Sequence, residues 1–140
     1  MLLTYTHPNF EDTVRTNENP DGIKIHTLRE DKTNRWKVGM SIQHWMGNPR
    51  NKSMYPHQFS TGECKGLQDV RIFRTRDQDS KYGYEIFIGF PAPGRQFTPE
   101  ENLAIAKNDG LTTEEFRNWF TSELEPIWMG RIIHFTDLKY

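Results

Sequence analysis

Cysteine is almost missing from this chain. Cys64 is the only one among 140 residues, so no intramolecular disulfide forms and the fold must rest on a packed core. That suits a reducing, cytoplasmic setting. Long apolar runs are missing too: residues 1–5 (MLLTY) form the longest near the N-terminus. They fall far short of a secretory segment or of the roughly 20 residues that span a bilayer, so a chain without membrane contact is expected. A dominant charge sign is absent as well. The net charge of −1 excludes attraction of the whole molecule to nucleic acid. There is no phosphate-loop glycine pattern, no HExxH and no GxSxG. His7, His26, His44, His57, His134 and Cys64 show no zinc spacing, so neither a metal nor a cofactor is expected.

Aromatic residues are plentiful. Nine Phe, five Tyr and four Trp accompany a modest 34% of hydrophobic residues, and large rings bury much area apiece, which argues for a folded chain. The length suits one domain over residues 1–140, with enough core to stand without a staple.

Alternation and turn chemistry predict mostly strands. Leu2 to Thr6 reads as a strand, followed after Pro8 by a turn or two of helix through Phe10 and Val14. Residues 17–22 (NENPDG) read as a loop. Ile23, Ile25 and Thr27 alternate with Lys24, His26 and Leu28 as in a strand, and residues 41–45 form the next. Residues 47–59 are polar and Pro-punctuated, an irregular loop. Strands return around Val70 to Phe73 and Tyr82 to Ile88, joined by a connection at residues 77–80, and residues 90–96 (FPAPGRQ) break the pattern. Two helices follow. Thr98, Pro99 and Glu101 make a capping box ahead of Leu103, Ile105 and Ala106, closed by Asn108, Asp109 and Gly110. Thr112 and Glu115 make a second, before Phe116, Trp119 and Phe120 on its expected buried face. Residues 131–138 read as a last strand. The sum is one α+β domain with a mixed, mostly antiparallel sheet that closes into a small β-barrel flanked by helices.

Charge is segregated along the chain. Residues 24–52 hold seven Lys or Arg against Glu30 and Asp31, whereas residues 98–126 hold seven Asp or Glu against Lys107 and Arg117. Either the two regions are solvated faces, or the first is a cationic surface for a phosphate-bearing ligand. Arg29, Arg35, Arg50 and Lys52 are the candidate phosphate contacts. Trp36 and Trp45 are either packing residues or stacking platforms for a base. Cations with stacking rings suit a nucleoside, a nucleotide or single-stranded RNA better than a duplex.

The run Gly22-Ile23-Lys24-Ile25-His26-Thr27-Leu28-Arg29, followed by Arg35-Trp36-Lys37-Val38-Gly39, resembles the signature of the ASCH family. Residues 106–116 and 131–139 resemble that family's acidic position with its late helix, and its closing strand. The resemblance implies a PUA-like fold, a small barrel flanked by helices, and RNA or nucleoside binding in a cleft bordered by residues 24–29. One branch of the family resembled here, the N4-acetylcytidine amidohydrolases, removes an acyl group from an N4-acylated cytidine with a lysine, a threonine three residues later and a distant glutamate. Those roles fall on Lys24, Thr27 and Asp109, the last a methylene shorter than the family's residue. A lysine activates a threonine hydroxyl only if burial or a neighbouring cation such as Arg29 favours its neutral form. Residues three apart in a regular strand face opposite sides, so Lys24 and Thr27 converge only if Lys24 precedes the strand or a bulge intervenes. Gly22 makes the former geometry accessible. A third alternative, a non-catalytic protein-interaction module, requires none of these chemistries.

Overall fold

The computed structural model describes residues 1–6, 10–16, 18–76, 78–89 and 94–140. Expectations for Pro8, Asn17, Asp77 and residues 90–93 fall outside these. The strands are β1 (Leu2–Tyr5), β2 (His26–Arg29), β3 (Ser41–Met46), β4 (His57–Glu63), β5 (Gly66–Arg74), β6 (Tyr84–Ile88), β7 (Arg95–Gln96) and β8 (Ile127–His134). The helices are α1 (Phe10–Thr13), α2 (Pro99–Asn108) and α3 (Thr113–Phe120), with a 3-10 turn at Lys52–Met54. This is a mixed α+β chain. Its strands form two sheets ordered β1-β3-β4 and β2-β8-β5-β6-β7, and among the described residues neither order closes into a barrel. No helix among them is long and apolar enough to cross a membrane.

Contacts group the chain into two compact units. The first comprises Met1–Thr27, Asn34–Leu67 and Ile133–Lys139. In it β1 runs parallel to β3, and β3 antiparallel to β4, with the register slipping between His44 and Trp45. Alternation puts Leu3, Tyr5 and Ile42 inward, where they join Val14, Trp36, Cys64, Ile133 and Phe135 in one apolar cluster. Cys64 is fully buried, its thiol directed at the Gly66 carbonyl, and burial pushes its pKa up. Phe10 starts the single turn of α1, whose exit is tied down by a parallel bridge between Val14 and Lys24.

Leu28–Thr33, Gln68–Ile132 and Tyr140 make the second unit. Here β5 and β6 pair antiparallel, and β6 pairs with the short β7. Both capping boxes form: Thr98 with Glu101 opens α2, and Thr112 with Glu115 opens α3. Tyr84, Ile86, Ile105 and Phe116 sit fully buried at the centre, and the Tyr84 hydroxyl donates to the Asn102 carbonyl at 2.6 Å. Arg95 grips Glu101 through two bonds of 2.7 and 2.8 Å.

Several boundaries differ from expectation. Residues 57–59, read as loop, are the start of β4, because Met46 and Trp45 pair with His57 and Gln58 across the sheet. Residues 95–96 are not a break but strand β7. The last strand begins at Ile127 rather than at residue 131. Trp119 is 71% exposed, whereas Phe116 is buried. A helix of only eight residues turns a narrow stripe to the core, and Phe116 and Phe120, four apart with ring centroids 4.8 Å from each other, occupy it.

Candidate functional site

Lys24 lies ahead of β2, in the bridge with Val14: its N–H donates to the Thr13 carbonyl at 2.8 Å and its carbonyl accepts from Arg15 N–H at 2.9 Å. It therefore stands outside the strand alternation that would have turned it away from Thr27. Lys24 is only 2% exposed and Thr27 only 6%. The Lys24 ammonium rests 5.1 Å from the Phe10 ring centroid, a cation–π contact. His26 between them is fully buried, its ring edge-on to His134 at 5.6 Å. Burial, then the Lys24 and His134 charges, hold the His26 pKa well below the usual imidazole value. Burial and the Lys139 charge lower that of His134 to about 4. A lysine is among the residues least often found fully buried, so this segment is chemically unusual.

The remaining predicted residues divide between the two units. Asp109 belongs to the second unit, where it caps the C-terminal end of α2 and accepts from the Asn108 amide at 3.0 Å. Arg29 is half-buried on β2, and Arg35, Arg50 and Lys52 are exposed. Trp36 is packed in the apolar cluster of the first unit and offers no open face. Trp45 is half-buried on β3, and its indole N–H finds no hydrogen-bond partner among the described residues.

Next to the Lys24 bridge, wholly within the first unit, is a hollow of about 440 Å³. One wall is the loop after α1, folded on itself by mutual Thr16 and Asn19 backbone bonds and by Gly22 N–H to the Asn19 carbonyl at 3.2 Å. Another part of the lining comes from β4 and Lys65, and β4 is joined to the loop by a 2.7 Å bond from the Ser60 hydroxyl to Glu18. Arg15, His44, Gly62, Lys65 and Phe135 line it. Arg15 spends its Nε on the Gly22 carbonyl at 2.6 Å. Among the described residues its two terminal nitrogens make no hydrogen bond. Lys65 meets Glu63 at 3.4 Å in an exposed pair that contributes little.

His44 was not singled out by the sequence reading. On β3 it takes an inward position two residues after Ile42 and is fully buried; a polar residue on the apolar stripe of a strand was the available signal. Its Nδ1 lies 2.9 Å from the Tyr5 hydroxyl, whereas among the described residues its buried Nε2 has no partner. Burial lowers its pKa to about 4 against an opposing pull from the Glu18 carboxylate. Among the described residues no three His, Cys, Asp or Glu side chains gather as a metal ion would need.

Comparison with family profiles, curated proteins and solved structures finds no match. Function rests on the site's own chemistry.

Proposed function

We propose that the chain binds a nucleoside or nucleotide, free or within single-stranded RNA, in the hollow beside the loop that leads into Lys24. The fold then belongs to a PUA-like domain, as the resemblance of residues 22–29 and 35–39 to the ASCH signature implies. The observation that carries the reading is Arg15: a guanidinium fixed by its Nε on the wall of a hollow, its terminal nitrogens making no hydrogen bond among the described residues and so available to a phosphate. The volume of about 440 Å³ falls in the ordinary range for small-molecule sites. Phe135 supplies an apolar wall against which a planar ring can lie.

Titration with nucleosides, their 5′-monophosphates and a short single-stranded oligoribonucleotide, followed by backbone amide shifts, is expected to move the resonances of Arg15, Thr16, Lys65 and Phe135. Arg15→Gln is expected to weaken the monophosphates about ten-fold or more while leaving uncharged nucleosides nearly unchanged, because a hydrogen bond to a charged group is lost. A panel that moves none of these resonances removes the reading.

A second reading, hydrolysis of an N4-acylated cytidine, is favoured by one observation: Lys24 precedes β2, so strand alternation does not separate it from Thr27. Incubation with N4-acetylcytidine is expected to yield cytidine and acetate in the wild type, with at least a hundred-fold loss in Lys24→Ala and in Thr27→Ala, in line with the size of acid–base effects. Absence of product from the wild type, or equal rates in all three, ends that reading.

A further inference from the structure

The His44 ring packs against three other rings. It lies nearly parallel to the Tyr5 ring at 5.9 Å, edge-on to Phe135 at 5.0 Å and tilted against Phe59 at 6.0 Å. One of its nitrogens is engaged by the Tyr5 hydroxyl at 2.9 Å. The other, Nε2, is buried and, among the described residues, without a partner, a condition that native proteins rarely leave uncorrected. It faces Gly62 across the β3–β4 pair, and a Cβ on Gly62 would come within 3.2 Å of it. Glycine weakens a strand interior and commonly marks a close approach. At this position the bare Cα places no side chain over Nε2, and both residues line the hollow.

We infer that His44 is the specificity-determining donor of this hollow: the Tyr5 hydroxyl donates to Nδ1, the proton therefore resides on Nε2, and Nε2–H reads a neutral acceptor on the bound molecule, a carbonyl oxygen or an unprotonated ring nitrogen. The inference rests on the reading of the hollow as a ligand site and adds which part of the ligand enters first. An oxyanion is disfavoured at this nitrogen. Burial keeps the imidazole neutral at pH 7, and the Glu18 carboxylate acts on His44, opposing a second negative charge nearby. A phosphate belongs with Arg15, and the heterocycle with His44. Discrimination follows from the burial: among the described residues Nε2–H is already unpaired in the free chain, so a ligand with an acceptor satisfies a desolvated donor and gains affinity, whereas a ligand without one gains nothing there.

The test uses the intact chain. Long-range nitrogen–proton NMR of the histidine side chains is expected to show the His44 proton on Nε2 and a bare Nδ1. Uridine, rich in carbonyl acceptors, is expected to move the Nε2 resonance, whereas inorganic phosphate and ribose 5-phosphate leave it in place. Gly62→Ala, which covers Nε2 with a methyl group, is expected to weaken uridine about ten-fold with an unchanged far-ultraviolet circular dichroism spectrum. His44→Phe should do the same, and His44→Gln, which restores an N–H donor, should recover part of the affinity. A proton on Nδ1, an Nε2 shift with phosphate alone, or full affinity in Gly62→Ala overturns the inference. If uridine moves Arg15 and Phe135 but not Nε2, the inference falls and the hollow stands as a binding site. If no ligand moves any resonance around the hollow, both fall.

Discussion

Lowering the pH from 7 to 4 is expected to destabilise the first unit by about 3 kcal/mol for each of His44 and His134, whose folded pKa values lie at about 4 against about 6.5 unfolded. The sign follows from where the protons go. Unfolded, each imidazole takes up a proton near pH 6.5; folded and buried, it resists until about pH 4. The stabilisation is whole above pH 6.5 and drains away as the pH falls between those two values. His26 acts in the same direction, since burial and the nearby Lys24 and His134 charges oppose its protonation. His57, whose pKa is raised by hydrogen bonding to Glu11, works in the opposite sense but on the surface. In the second unit the Glu101 carboxyl is held down to about 2 by its bonds to Arg95, so its contribution is lost only below about pH 4.5. Acid unfolding between pH 6.5 and 4.5 is therefore a histidine effect. Guanidinium unfolding at pH 7.5, 6, 5 and 4, followed by tryptophan fluorescence, measures it. A midpoint constant down to pH 4 contradicts the burial of these three rings in neutral form. Against a total stability of roughly 5–15 kcal/mol, the expected change is large.

Gly22→Ala is expected to be strongly destabilising. A Cβ there would stand 2.7 Å from Arg15 N, Thr13 O and Val14 C, all main-chain atoms that no rotamer change can move aside. The loop must shift. Doing so strains the Arg15 Nε bond to the Gly22 carbonyl and the Val14–Lys24 bridge together. A loss of about 3 kcal/mol, or roughly 10 °C in Tm, is expected from overpacking combined with broken hydrogen bonds. Because Arg15 is displaced, binding in the hollow should fall at least ten-fold as well. Gly39→Ala serves as the control. Nothing lies within 4 Å of its Cβ position, but its φ of +90° is left-handed, so only about 1 kcal/mol is at stake. Equal melting temperatures for Gly22→Ala and wild type would show that the main chain does not approach Gly22 so closely.

What the sequence revealed was local chemistry. Both capping boxes are readable from four-residue windows, because the threonine and glutamate that satisfy the first N–H groups are neighbours in the chain. Gly22 makes a position for Lys24 ahead of the strand accessible, and β2 begins only at His26. Pairing across distance was not readable. Nothing in residues 57–59 announces a strand until Trp45 and Met46 lie beside them. Trp119 fits the helical spacing as well as Phe120 does, and only the width of the core it would have to reach decides against it. The hollow was hidden for the same reason. Arg15, His44 and Lys65 come from a loop, a strand and the residues just past another strand, and no spacing rule links them. His44 alone left a trace, as a polar residue two positions beyond Ile42 on an otherwise apolar stripe.

Cys64 gives this chain a clock of its own. A sulfhydryl sealed among Leu3, Ile42 and Phe135 meets an alkylating reagent only when the surrounding residues part, so the labelling rate under native conditions counts excursions of the first unit alone. The second unit contains no thiol to confuse the readout. No engineered probe is needed to learn how often the walls around His44 come apart, or whether an occupant of the hollow slows that breathing.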